Sequence, residues 1–356
     1  LALHVVELKT NGPAPSLATL AAEFQRSLRR IDGALAGMGA RLLPTGMHAT
    51  MDPARDFRRW PHDYADVYSA YDRIFGCRGH GWANLQSCHL NLPFKDDDEF
   101  GRLHLSLRAL LPLLPALAAS SPFCEGRYTG WLDWRLQVYR HNQARVPSVT
   151  GHVVPEPVAT REQYFAGILE PMWRDIAPFD PERLLHEEWL NSRGVVAKFF
   201  RDTLEIRVLD VQECPPADLA ICALVVAVLR ELCAERWCDR RALASLPTEE
   251  LAAVLWSTAQ HGEQAVIAHA GLRRALGLPV EPGTAHECWR ILADRVLPDI
   301  AGLDPLLEPP LQALLEHGPL ARRMLRAVGT GPDRESMLRL QAELADCLAH
   351  STVFGA

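Results

Sequence analysis

The sequence predicts an α+β fold, a mainly antiparallel sheet with flanking helices followed by a helical C-terminal region. Three observations carry that expectation. Residues 84–94 and 194–210 alternate polar and apolar side chains with period two, the signature of strands with one face buried. From Pro216 onward apolar residues recur at helical spacing, punctuated by Pro and Gly near 247, 279–283, 304–310 and 330–333. The 356 residues, 48% hydrophobic and 23% charged, suffice for one large domain or for a catalytic domain with a helical extension. The division falls near residue 240, with residues 1–240 as the α+β catalytic region and 241–356 as the helical region.

Taken in order, Ser16 to Ala40 reads as an amphipathic helix, with Ser16 as N-cap candidate and Leu17, Leu20, Ala21, Phe24, Leu28, Ile31 and Leu35 at helical spacing. Arg41 to Pro44 follows as a short apolar strand before a Gly-containing turn. Residues 61–75 suggest a helix with Tyr64, Tyr68 and Tyr71 on one side. The acids Asp96-Asp97-Asp98-Glu99 suit the positive end of a helix dipole, and that helix should end near Pro112. Residues 118–130 describe a tight turn after a helical hairpin. Within 194–210, Arg201-Asp202-Thr203 separates two strands.

Composition excludes several classes. A net charge of −7 argues against an electrostatic nucleic-acid binder. No apolar run reaches the roughly 18 residues of a membrane span; the richest, Leu219 to Leu229, stops at Arg230-Glu231. The start at Leu1 has no basic segment before an apolar core and does not read as a secretory signal. The nine cysteines are odd in number and contain no CxxC pair, which favours buried thiols in a reducing, cytoplasmic setting. Neither GxxxxGK[ST] nor a strand-linked GxGxxG is present, so P-loop and Rossmann nucleotide sites lack support.

The sharpest chemical signal is Thr203-Leu204-Glu205-Ile206-Arg207-Val208-Leu209-Asp210. In a strand Glu205 and Arg207 share one face, while Leu204, Ile206 and Val208 share the other. A carboxylate beside a guanidinium suits a hard cation and a phosphoryl group, although the same pair also describes an ordinary surface ion pair. In Ser87-Cys88-His89-Leu90-Asn91-Leu92 the same parity puts Ser87, His89 and Asn91 together, and His89 could ligate a metal, donate to phosphate or be a hydrogen-bonded structural histidine. Arg127 and Arg135 flank the glycine turn and could clamp a carboxylate or simply be solvated. His48 follows the short strand at Pro44-Thr45-Gly46-Met47. Glu7 is the lone acid of the apolar opening Val5-Val6-Glu7-Leu8; in an inward-facing strand it would need a partner, and a metal is one option.

Together these segments resemble the glutamate–cysteine ligase type 2 family of bacterial carboxylate–amine ligases, within the glutamine-synthetase-like superfamily. The resemblance runs from about Glu7 to Pro215. Its specific parts are Ala-Ser-Ser-Pro-Phe…Gly-Arg-x-Thr-Gly at 119–130 and Thr-Leu-Glu-x-Arg-x-x-Asp-Val-Gln at 203–212. His89-Leu90-Asn91 resembles the family's His-containing strand, and Gly46-Met47-His48 its Gly-x-His-Pro turn, with Ala49 in place of Pro.

The resemblance implies a curved, glutamine-synthetase-like sheet that carries ATP and magnesium. A γ-carboxylate such as that of glutamate would attack ATP to give an acyl phosphate, which an amine such as cysteine then captures. By position, Glu205 resembles a magnesium ligand with a catalytic role, Arg207 a phosphate-stabilising catalytic group, and His89 and Glu7 metal-site residues. Arg127, Arg135, His48 and Asn91 resemble residues of the substrate pocket. One departure stands out. The family opens with two acids at i and i+2, whereas Glu7 has Val5 and Lys9 at those positions. Glu125, Glu187, Glu188 and Asp210 are candidates to replace the missing acid. Two other readings are a nucleotide- or amino-acid-binding protein without turnover, and a zinc hydrolase using His48, His80 and His89, which lacks HExxH spacing.

Overall fold

The computed structural model describes residues 2–14, 16–17, 19–300 and 305–355, with the side chains of 299 and 300 excepted. Helix α1 (Leu20–Ala36) starts later than expected, after Thr19, so Ser16 is not its cap. Buried Gln25 of this helix donates to the carbonyls of Leu348 (3.0 Å) and Ala349 (2.9 Å), capping the last helix of the chain. Residues 41–44 are irregular rather than a strand. Leu42 N–H is held instead by the Asp32 carboxylate at 3.0 Å, and Pro44 has no donor for a ladder.

Helix α2 (Ala65–Phe75) buries Tyr71 against Phe75 and Trp82, with Tyr68 edge-on to Trp82. Tyr64 lies outside the helix in a left-handed conformation, 74% exposed, so the three tyrosines do not share a side. Strand β1 (Ser87–Pro93) leads into α3 (Asp97–Leu110), whose cap is Asp96, accepting from Glu99 N–H at 2.9 Å. Pro112 falls in the short 3₁₀ turn Leu111–Leu113 that ends the helix. The predicted tight turn is a two-residue hairpin: Phe123–Cys124 pairs with Arg127–Tyr128 across Glu125 and Gly126, both at positive φ.

Helix α4 (Trp134–Asn142) was not anticipated; Asp133 caps it, accepting from Leu136 N–H at 2.9 Å. Strands β2 (Val195–Lys198) and β3 (Thr203–Asp210) follow, joined through Phe199–Arg201 and a left-handed Asp202. The C-terminal region is helical as expected: α5 (Pro215–Cys233), α6 (Thr248–His261), α7 (Ala285–Ile300), α8 (Glu308–His317), α9 (Leu320–Val328) and α10 (Arg334–His350). It also holds one unanticipated ladder, Val266–Ile267 with Gly283–Thr284. Among the described residues no helix is long and apolar enough to cross a membrane.

The three strands form one antiparallel sheet in the order β1-β3-β2. Glu205 lies opposite Asn91 of β1 on one side and Val196 of β2 on the other; Ile206 aligns likewise between Leu90 and Val195. A bulge between Cys88 and Leu90 interrupts the register at His89. The mixed helix-and-strand architecture is therefore consistent with α+β. Leu204, Ile206 and Val208 are fully buried, and α3 packs on β2 and β3. Helix α5 is apolar nearly all round and is correspondingly enclosed, packing on α1, α3, α7 and α8. One hydrophobic cluster runs from Phe100 through Leu224 to Leu292 and Leu314, so residues on both sides of position 240 share a core.

The end of β3 is pinned by Asp210. Its carboxylate ion-pairs with Arg135 and accepts from Ser120 N–H (2.8 Å) and Ser121 Oγ–H (2.7 Å). Gly46 packs directly on it: a Cβ there would lie 2.4 Å from Asp210 Cγ. With that carboxylate held from three directions, Gly46→Ala should cost about 1–3 kcal/mol as overpacking. Urea unfolding checks this; the midpoint should fall while the slope with denaturant stays constant.

Candidate functional site

Strand parity builds the site. Glu205 and Arg207 project from the same face of β3, and Asn91 of β1 stands opposite Glu205. The Glu205 side chain is only 4% exposed and is ringed by three basic side chains. Arg207 Nε donates to Oε1 at 2.7 Å, His89 Nδ1 lies 3.7 Å from the same oxygen, and Lys198 Nζ ion-pairs with Oε2. Each strand supplies one of the three. The guanidinium is further fixed by Nη1, which donates to the Asn191 carbonyl at 3.0 Å. His89 Nε2 pairs with Ser87 Oγ at 2.6 Å. Asn91 is exposed beside them, and its side chain makes no hydrogen bond among the described residues.

The electrostatics follow from this packing. Burial opposes ionisation of Glu205, but Arg207, His89 and Lys198 together outweigh it and hold the carboxyl at about 2. Desolvation, reinforced by the Arg207 charge, lowers His89 to about 4, so its imidazole is neutral near pH 7. Two cations and one carboxylate leave the cluster with a net charge of +1. An open polar face with that balance attracts an oxyanion.

The other expected site residues lie elsewhere. Arg135 is 1% exposed, and the carboxylate it clamps is Asp210 of the chain itself. Its Nη1 and Nη2 both donate to the Arg207 carbonyl at 3.3 Å, so it positions β3 and does not face a substrate. Arg127 is exposed on the hairpin, without a side-chain partner among the described residues. His48 is half-buried: its backbone N–H donates to Asn84 Oδ1 at 2.7 Å, and its Nδ1 accepts from Thr50 N–H at 3.3 Å. Burial, with His4 nearby, lowers its pKa. The expectation of an inward-facing strand acid at Glu7 is corrected. The segment is irregular, and Glu7 is 58% exposed and pairs with Lys9 at 3.6 Å.

None of the candidate replacement acids contacts Glu205. Glu125 meets His80 at 3.2 Å, Glu188 accepts from Phe199 N–H at 3.2 Å, Glu187 is exposed, and Asp210 is taken by Arg135. The zinc reading fares no better. His48 and His80 both bond Asn84, whereas His89 sits with Glu205, and no group of three potential ligands able to hold a metal occurs among the described residues.

Lys198 is the member of this cluster that sequence reasoning missed. It ends Val195-Val196-Ala197-Lys198, and period two places it with Val196, the residue opposite Glu205. The alternation was present in the sequence, but only the register reveals what Lys198 faces.

The family profile of glutamate-cysteine ligase family 2 matches residues 1–343. The chain belongs to that family. The match extends well beyond the expected Glu7–Pro215 stretch into the helical region. A protein of Archaeoglobus fulgidus without a functional name is 40% identical over 232 residues, covering 64% of this chain and 60% of that protein. A provisionally named glutamate–cysteine ligase 2-1 of Nocardioides sp. is 33% identical over 197 residues, covering 54% of this chain and 45% of that protein. A provisionally named glutamate–cysteine ligase 2-1 of Rhodococcus jostii is 26% identical over 328 residues, covering 88% and 75%. The chain thus spans less than two thirds of the first two relatives. The family and both named relatives carry the name of a ligase.

The magnesium that membership implies does not fit the donor set around Glu205. Hard divalent cations take several oxygen ligands. Here a single carboxylate is present, both of its oxygens already paired to side-chain cations.

The low Glu205 pKa sets a pH dependence. A depressed folded value means stability that is complete above the ordinary glutamate value of 4.5 and lost as pH falls toward about 2. The loss should be on the order of 3 kcal/mol for the wild type. Urea midpoints measured across that window check it: Glu205→Gln should be less stable at neutral pH and should flatten the acid limb.

Proposed function

We propose that this chain is an ATP-dependent carboxylate–amine ligase on a glutamine-synthetase-like sheet, acting in the cytoplasm on a γ-carboxylate such as that of glutamate and an amine such as cysteine. The observation that carries the reading is the net positive, solvent-open floor formed by Lys198, Arg207 and His89 around Glu205, in a chain of this family. In the reaction a carboxylate oxygen attacks the γ-phosphorus of ATP, and ADP leaves. The amine then attacks the acyl carbon, inorganic phosphate departs with the C–O bond electrons, and the amine loses a proton. Both steps build charge on phosphoryl oxygens, and fixed cations that need no reorganisation lower such barriers.

Arg207 suits that role because its fork is pre-set. Nε is held by Glu205 and Nη1 by the Asn191 carbonyl, so the guanidinium plane is locked before any ligand arrives. Asn191 is itself anchored, its Nδ2 donating to Tyr164 OH at 2.7 Å. One observation favours a second reading, a binder of nucleotide or amino acid without turnover: Glu7 lies exposed and paired to Lys9, away from the floor. Nucleotide binding without ADP formation would be its mark.

The test is an ADP-release screen with magnesium ATP, pairing L-glutamate and other amino acids with a panel of amines that includes L-cysteine. Against the active pair, Arg207→Lys should lose rate nearly as badly as Arg207→Ala, on the order of 100-fold, since one ammonium cannot replace three fixed nitrogens. Ile206→Val, on the buried face, should cost about 1 kcal/mol of stability and leave the rate per folded molecule unchanged. A lysine variant as fast as wild type would remove Arg207 from the phosphate role.

A further inference from the structure

The place beside Glu205 where a metal would be expected is taken by the chain. Lys198 Nζ contacts Oε2, Arg207 Nε contacts Oε1, and the carboxylate between them is 4% exposed. Lys198 and Arg207 are themselves 18% and 14% exposed, so both ammonium and guanidinium are part-buried yet reachable from the open side of the sheet, where His89 is 39% exposed. A divalent ion entering here would have to evict the ammonium and then sit against the guanidinium, a like-charge contact at short range. An oxyanion meets the opposite situation: net charge +1, an ammonium with donors to spare and an imidazole at the rim.

We infer that Lys198 is a built-in cation for Glu205, and that the floor it forms with Arg207 and His89 binds a phosphoryl oxyanion with no divalent ion at Glu205. This names the ligand chemistry of the proposed ligase site, and it rests on that reading only for the choice of phosphate over other oxyanions. Tethering the cation to β2 has a consequence for specificity. A lysine holds a fixed single charge and cannot exchange, so binding at this floor is set by the chain and not by the free metal concentration. Lys198 thereby acts as a binding residue of the floor while also positioning the Glu205 carboxylate.

Phosphorus NMR titration of inorganic phosphate into the purified chain tests this. Phosphate should bind in the presence of EDTA, and excess Mg²⁺ should change its Kd by no more than about twofold, less than the worth of one charge-assisted hydrogen bond. Lys198→Met should weaken phosphate binding in EDTA by about tenfold or more. Lys198→Arg should retain most of the affinity, and Lys95→Met, which removes an exposed lysine paired among the described residues to Glu99, should change nothing. Phosphate binding by the wild type only after Mg²⁺ is added overturns the inference without any variant. So does a folded Lys198→Met chain that binds like wild type, since Lys198 would then be a salt bridge and nothing more. L-glutamate binding in EDTA where phosphate does not would overturn the phosphoryl assignment. ADP release on the same preparations separates the two claims. Phosphate bound in EDTA without turnover ends the ligase reading and leaves this one, whereas turnover with phosphate binding only in Mg²⁺ does the reverse.

Discussion

The buried charge of Glu205 is the constraint around which the polar face of the sheet is arranged. An ionised carboxylate this enclosed is costly unless its oxygens are paired. Here the partners come from all three strands: His89 from β1, Lys198 from β2 and Arg207 from β3 itself. Strand register and charge balance therefore enforce one another. A one-residue slip of β2 would turn Lys198 toward the core and Ala197 toward Glu205, exposing both faces to the wrong environment. The bulge at His89 belongs to the same solution, since it occurs where β1 brings the imidazole to Glu205.

A second buried ion pair holds this arrangement to the rest of the molecule. Asp210 and Arg135 join the end of β3 to the start of α4, and Arg135 also reaches the Arg207 carbonyl. Asp133, which caps α4, is fully buried close by; burial and the Asp210 charge push its carboxyl well above the usual carboxylate range. From α4, Arg140 lies over the Trp256 ring at 4.4 Å, tying the sheet end to α6. The floor thus rests on a frame whose polar groups are largely committed internally, and this is why Arg135, expected in the substrate pocket, is instead spent on Asp210.

Much of the floor was legible in the sequence because alternation needs no tertiary knowledge. Thr-Leu-Glu-Ile-Arg and Ser-Cys-His-Leu-Asn-Leu each assign their own faces, and placing both in one sheet brings His89, Asn91, Glu205 and Arg207 together. The start of α3 was legible locally too, from the acidic run Asp96–Glu99 at the positive end of its dipole. What could not be read was pairing at a distance. Arg135 looks like a substrate clamp until Asp210, far along the chain, is found to fill its fork. Lys198 looks like the frayed end of a buried strand until the β2–β3 register turns it to Glu205. Helix α4 has a weak apolar stripe and is set by its Asp133 cap and its ion pair, signals that periodicity does not carry.

The central claim is that this floor serves transfer of a phosphoryl group to a carboxylate. The most direct measurement labels the carboxylate of the active acid with heavy oxygen and follows the phosphate released during turnover with magnesium ATP by phosphorus NMR. An acyl phosphate requires one labelled oxygen to pass from the acid to each phosphate formed. The account predicts that transfer, in step with ADP production. Phosphate released without the label, or ADP formed with the acid's oxygens intact, would contradict it.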